Sequence, residues 1–139
     1  MDPVIASCGC PATLHIQLPP GGQAARHARR TVTELLALKP AVCPHAVAED
    51  LVLIVSELVT NAVLHAEGPY ALTVSLEDRR AGVAVTDGST ELSEHDGKGV
   101  RQRQVESGGR GLKIVRALGA DLFVSRSGVG KQVIAVLTW

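Results

Sequence analysis

Aromatic side chains are nearly missing from this sequence: Tyr70, Phe123 and Trp139 are the single tyrosine, phenylalanine and tryptophan in 139 residues. A core has to be assembled from Ala, Val, Leu and Ile instead, and base stacking on aromatic platforms lacks its usual side chains. A surplus of one charge is missing too. The 14 Lys and Arg balance the 14 Asp and Glu, so no global field favours DNA or an anionic membrane, and neither is expected as a partner. No apolar run approaches the roughly 18 residues that a membrane span needs. Met1-Asp2-Pro3-Val4 opens without the basic and then apolar stretches of a signal peptide. Cysteine is scarce and odd in number, at 3, which points away from a disulfide scaffold and toward a reducing, cytoplasmic setting. Cys8 and Cys10 are expected to be free thiols in a tail, because no second paired cluster completes a four-ligand metal site. Cys43, alone before Pro44, is expected to be structural.

What is present fits one ordinary globular domain, with 45% hydrophobic and 20% charged residues. Residues 1–11 are expected to form an irregular tail and 12–139 the domain. Leu14, Ile16 and Leu18 alternate with His15 and Gln17, the two-residue period of a half-buried strand, and Pro19-Pro20-Gly21-Gly22 ends it. From Gln23 to Leu38 the stripe Ala25, Ala28, Val32 and Leu35 predicts a helix whose Arg26, Arg29 and Arg30 face water. A longer helix is expected from about Pro44, a residue suited to a first helical turn, to Ala66. Its segment Leu51 to Leu64 is apolar almost all round and should be deeply buried.

Leu72, Val74 and Leu76, then Val83 and Val85, predict a hairpin turning at Asp78-Arg79-Arg80. Residues 88–109 show no apolar period and are expected to be a long loop, a feature usually tied to function or disorder in a compact domain. A short helix marked by Leu112, Val115 and Leu118, closed by Gly119, precedes strands at about 121–126 and 131–138. The order β-α-α-β-β-loop-α-β-β implies an α+β, two-layer sandwich, a mostly antiparallel mixed sheet with three helices on one face.

Three features carry candidate chemistry. Glu57 and Asn61 lie one turn apart on the greasiest helix, and His65 continues their face. Buried polar groups of this kind need partners. A Mg²⁺ ion accompanied by phosphates would serve, and so would neighbouring backbone. Asp87-Gly88-Ser89 ends a strand: it is either a simple turn or a carboxylate that accepts a hydrogen bond from an exocyclic amine such as adenine's, beside a glycine that lets a base approach. Ser107-Gly108-Gly109-Arg110-Gly111-Leu112 opens a helix: it is either a flexible connector or a set of backbone N–H groups converging on an anion, with Arg110 adding a charged contact. Neither a Rossmann fingerprint nor a P-loop is present.

In this order and spacing, Glu57 to Ala66, Asp87-Gly88-Ser89 and Gly108 to Leu112 resemble the N, G1 and G2 boxes of the GHKL ATPases, the histidine-kinase-like superfamily. The closing strand Gly130-Lys131-Gln132-Val133 also looks like that family's last strand, and within the family the chain is similar to bacterial anti-sigma-factor serine/threonine kinases. The resemblance implies a Bergerat-type ATP-binding fold, with Asn61 on Mg²⁺ and Glu57 as base or positioning group. It further implies Asp87 on adenine, with Gly88 beside it, and Gly108, Gly109, Arg110, Gly111 and Leu112 around the phosphates under a lid of residues 88–107. His65 is either a phosphate contact or a structural histidine. The G1 box is shorter than the family's fuller form, and Gln132 stands where relatives often carry Thr beside the adenine.

The resemblance implies one of two functions. One is an ATP- and Mg²⁺-dependent kinase that phosphorylates a STAS-type anti-sigma antagonist and binds a sigma factor, expected as a homodimer. The other is a nucleotide-binding partner-switching module that sequesters a protein partner without significant turnover. A conventional histidine autokinase is not expected, because no phosphotransfer helix pair precedes the domain, and gyrase- or chaperone-like ATPase work would need further domains.

Overall fold

The computed structural model describes residues 12–39, 43–89, 101–104, 110–128 and 130–139, with backbone alone at 101–104 and Arg110. Its elements in chain order are β1 (Ala12–Leu18), α1 (Gln23–Leu38), α2 (His45–His65), β2 (Tyr70–Glu77), β3 (Arg80–Asp87), β4 (Arg101–Gln104), α3 (Arg110–Ala117), β5 (Asp121–Ser127) and β6 (Gly130–Thr138). The strands form one six-stranded sheet in the order β1-β2-β3-β6-β5-β4. Each of the five pairings is antiparallel, so the sandwich is α+β as expected and no parallel pairing occurs among the described strands.

Strand alternation divides the sheet into two unlike faces. Ile16, Leu72, Val85, Val133 and Val124 stand on one face, in register across β1, β2, β3, β6 and β5. Residues of that parity join Ala28, Val32, Leu51, Ile54, Val55, Leu58, Leu112 and Val115 of the helices in one core. Gln17, Ala71, Thr86, Gln132 and Ser125 form a row of the opposite parity, on the face without helices. With so few aromatics, the core gains its stability from many medium-sized side chains, each fully buried one contributing roughly 1.5–3 kcal/mol.

Several local expectations shift. The buried stripe of α1 is Ala24, Ala28, Val32 and Leu36, while Ala25 and Leu35 are half-buried at its flank. Pro44 sits just outside α2 at its N-cap (φ −59°, ψ 154°), and its carbonyl accepts the first helical bond from Ala48 N at 2.9 Å. Helix α2 is not buried all round: Leu51, Ile54, Val55, Leu58, Val59 and Ala62 face the core, whereas Leu53 is 38% and Leu64 70% exposed. Helix α2 packs against α1, α3 and the sheet, and Leu53 and Leu64 lie on the side that none of these covers. The long loop expected over 88–109 contains a strand, β4, which pairs with β5 at the sheet edge. The polar sequence Arg101-Gln102-Arg103-Gln104 gave no apolar alternation by which to find it.

Three further expectations hold, for the hairpin, for Gly119 and for Cys43. The β2–β3 hairpin turns at Asp78 and Arg79, with Arg79 at φ 65° and Glu77 opposite Arg80. Gly119 closes α3 at φ 94°. Cys43 is buried, and that burial pushes its thiol pKa up. The 1–11 tail, with Cys8 and Cys10, lies outside the described residues. No helix among the described residues is long and apolar enough to cross a membrane.

The two sides of α2 should respond differently to truncation. Ile54→Ala, at a wholly buried position, is expected to cost about 2–5 kcal/mol in urea denaturation. Leu64→Ala, at an exposed one, should change stability by under about 0.5 kcal/mol.

Candidate functional site

Helix α2 and the β3 and β6 ends converge at one end of the sheet. Leu18 pairs with Tyr70, Ala71 with Thr86 and Asp87 with Lys131, so all of these lie at the edge where α2 finishes. Tyr70 Oη donates to the Ala66 carbonyl at 2.7 Å, tying the start of β2 to the last turn of α2. The chain between them passes through a cis Gly68–Pro69 peptide. Gly88 N donates to the Glu67 carbonyl at 2.7 Å, so the Asp87-Gly88 segment is fastened to the same connection.

Gly88 is required here for a reason other than approach by a base. A Cβ at this position would collide with the Gly68 carbonyl and lie 2.7 Å from Pro69 Cδ. Its missing side chain therefore lets two backbone segments touch. Asp87 is 5% exposed and belongs to the helix-covered face. Its Oδ1 accepts from Ser89 N at 2.8 Å, the local turn bond expected of an Asp-Gly-Ser segment. Its Oδ2 lies 3.8 Å from Lys131 Nζ.

On α2, Glu57 and Asn61 are half-buried and His65 is exposed. Among the described residues no hydrogen bond or ion pair engages the side chain of Glu57 or Asn61. Gly111, in the first turn of α3, faces Glu57 so closely that a Cβ there would lie 2.6 Å from Glu57 Oε1. Gly111 thereby brings the start of α3 against the carboxylate, and Leu112 is buried in the core behind it. A carboxylate is favoured at a helix N-terminus by the free N–H groups and the helix dipole. The structure thus brings Glu57 together with Gly111, and Asp87 together with Gly88. It leaves His65 in solvent, and the backbone of Arg110 starts α3. Gly108 and Gly109 lie outside the described residues, as does most of the proposed lid.

Gln132 pairs with Thr86 and points to the open face of the sheet, away from Asp87. The residue of β6 that meets Asp87 is Lys131, one position earlier. A one-residue offset in a strand reverses the face, and a short motif match does not fix that parity. A 530 Å³ cavity follows the same open-face row, lined by Gln17, Thr86, Ser125 and Gln132 among others, and reaches Asp87 and Lys131 round the strand ends. None of Glu57, Asn61 and His65 lines it.

The donor set is hard: a carboxylate and an amide oxygen. No group of three or more His, Cys, Asp or Glu able to hold a metal occurs among the described residues. A cation here would take most of its ligands from water and a bound phosphate, which is how Mg²⁺ usually travels with nucleotides. The residues present fit such an ion only in company with a polyphosphate.

A family model for the histidine kinase-like ATPase domain matches residues 19–137. The chain belongs to that family. Among solved structures it is similar to the crystal structure of the RsbU and RsbW domains of Rv1364c from Mycobacterium tuberculosis, with a TM-score of 0.64 and 23% identity. That similarity covers 91% of this chain and 32% of the other. At this identity the likeness concerns the fold. Comparison with curated proteins gave no match.

The two glycines should behave differently when a methyl is added. Gly88→Ala drives Cβ into backbone that cannot yield and should cost about 1–3 kcal/mol or more in urea denaturation. Gly111→Ala meets only the end of a flexible glutamate and should change stability by under about 1 kcal/mol, with the helix gaining from alanine. The reverse ranking would overturn this account of the packing.

Proposed function

We propose that this domain binds Mg·ATP and phosphorylates a serine or threonine of a protein partner, a STAS-type anti-sigma antagonist, in a partner-switching circuit that also holds a sigma factor. The observation that carries this reading is the placement of Glu57. It is a half-buried carboxylate without a protein partner among the described residues, at the start of the helix that the glycine-rich segment opens. Membership of the histidine kinase-like ATPase family supports nucleotide use. The N-box, G1 and G2 resemblance supports the kinase branch.

In this reading Asp87 accepts a hydrogen bond from the adenine amine, and the backbone around Gly109 and Gly111 holds the phosphates. Asn61 holds Mg²⁺, which when bound would neutralise charge on the phosphate oxygens. Glu57 orients the partner's hydroxyl and accepts its proton as the hydroxyl oxygen attacks the γ-phosphorus. The bond to the bridging oxygen breaks and ADP leaves, so the partner gains the phosphoryl group and Glu57 the proton. About two added negative charges on the partner then weaken any interface that offers no facing cation, and the domain is released to its other partner.

Calorimetric titration with ATP and ADP, with and without Mg²⁺, is the first test, and Mg²⁺-dependent ATP binding is expected. Incubation with γ-labelled ATP and a cognate STAS partner should label a serine or threonine. Glu57→Ala should lower that rate by about 10²-fold or more while ATP binding survives, and Asp87→Ala should remove adenine-dependent affinity. Labelling by Glu57→Ala at the wild-type rate would remove Glu57 from the chemistry. Tight ATP binding with no labelling of any STAS partner would favour the sequestering module instead.

A further inference from the structure

A cleft of 790 Å³ opens between the last turns of α1 and the first turns of α2. Its walls are mostly apolar: Leu36 and Ala37 of α1, Cys43 and Pro44 ahead of α2, and Ala48 and Val52 on α2. Leu38, next to Ala37, is 72% exposed. Apolar surface of this kind gains by being covered. The chain itself leads to the cleft. Strand β1, of 7 residues, is about 23 Å long and α1, of 16, about 24 Å, and residues 19–22 join them. Helix α1 packs on β1, so it runs back along the strand and ends near the strand's start. Ala12 accordingly packs on the same core as Leu36 and Cys43. Residues 1–11 therefore join the described chain at the end of the molecule where the cleft lies.

We infer that the chain's own N-terminal segment, residues 1–11, docks in this α1–α2 cleft, with Val4 and Ile5 seated against its apolar walls. Fully extended, the segment reaches about 36–40 Å from Ala12, more than the length of α1, so the whole cleft is within its range. Asp2 is its one charged side chain, and residues 3–11 carry none. A segment that stays in water is usually rich in charge and poor in apolar residues, whereas Val4-Ile5-Ala6 gains by leaving it. Two of the chain's three cysteines lie in this segment, and the third, Cys43, is in the wall that it covers. Free thiols pack as small apolar groups, so the contact needs no bond between sulfurs. The cleft lies at the end of α2 opposite to the Tyr70 and Asp87 end, so this docking holds whether or not a nucleotide binds.

Spin labelling of the full chain, read by NMR, tests this. A nitroxide is attached to Cys8 in a Cys10→Ser, Cys43→Ala variant and, separately, to Cys10 in a Cys8→Ser, Cys43→Ala variant. Cys43→Val takes the place of Cys43→Ala if alanine leaves the chain unfolded. The amide signals of Leu36, Ala37, Ala48 and Val52 should lose intensity selectively, while those of Thr86 and Ser125 on the open face of the sheet keep theirs. Adding Val4→Asp and Ile5→Asp should restore the lost signals. No loss at the cleft, an even loss over the whole surface, or a loss that survives both aspartates would overturn the docking. A mixture of spin-labelled chains and unlabelled, isotopically enriched chains separates the remaining possibility. Unchanged cleft signals in that mixture are expected. Loss there would give the cleft to the segment of a second copy and overturn docking within one chain.

Discussion

The apolar side of α2, pressed on the central strands, is the contact from which the rest of the molecule takes its position. Leu51, Ile54, Val55, Leu58 and Val59 are almost fully buried, and the strand residues of the same core, Leu72, Val74, Val83 and Val85, are equally so. Each of these side chains is of middling size, and together they form a continuous layer. That layer fixes the rotation of α2 about its own axis. Once Ile54, Leu58 and Ala62 face the sheet, Glu57 and Asn61 fall at the boundary between core and solvent, and Leu64 and His65 must turn outward. Polar side chains at that boundary are partly shielded from water, where electrostatic interactions are stronger than in bulk solvent.

A second constraint operates at the end of that helix. The α2–β2 connection is held from three directions: Tyr70 Oη on the Ala66 carbonyl, Gly88 N on the Glu67 carbonyl, and the close contact of Gly88 with Gly68 and Pro69. The two polar positions supplied by α2 and the carboxylate supplied by β3 therefore belong to one tied unit, although Glu57 and Asp87 lie 30 residues apart in the chain. On the other flank, the absent side chain of Gly111 brings α3 up to Glu57. In both places a glycine serves a contact between protein groups. The resemblance assigned the same glycines to ligand contact, and the geometry adds a packing duty that exists with no ligand present.

Much of the fold was legible in order. Helix α1 was foreseen with its observed bounds, the β2–β3 hairpin with its turn, and the last two strands to within a residue or two, because their apolar periods are regular and their ends are marked by Pro or Gly. Strand β4 was not legible, since Arg101 to Gln104 carry no apolar residue, and pairing with β5 supplies the hydrogen bonds that make them a strand. The exposure of Leu53 and Leu64 was also hidden. An apolar residue announces that it can be buried, and the number of neighbouring layers decides whether it is.

At the site, residue types and spacing by themselves determined that Glu57 and Asn61 share a helical face, that an Asp-Gly-Ser turn ends a strand, and that a glycine-rich segment opens a helix. These are short-range consequences of helical pitch and backbone freedom. Only the tertiary structure decided that Lys131 rather than Gln132 meets Asp87, that Gly88 is a backbone contact, and that Gly111 abuts Glu57. Those facts depend on strand register and on how two layers seat against each other. Strand pairing brings together residues far apart in sequence, and a shift of one residue reverses every face, so local patterns carry too little information to fix it.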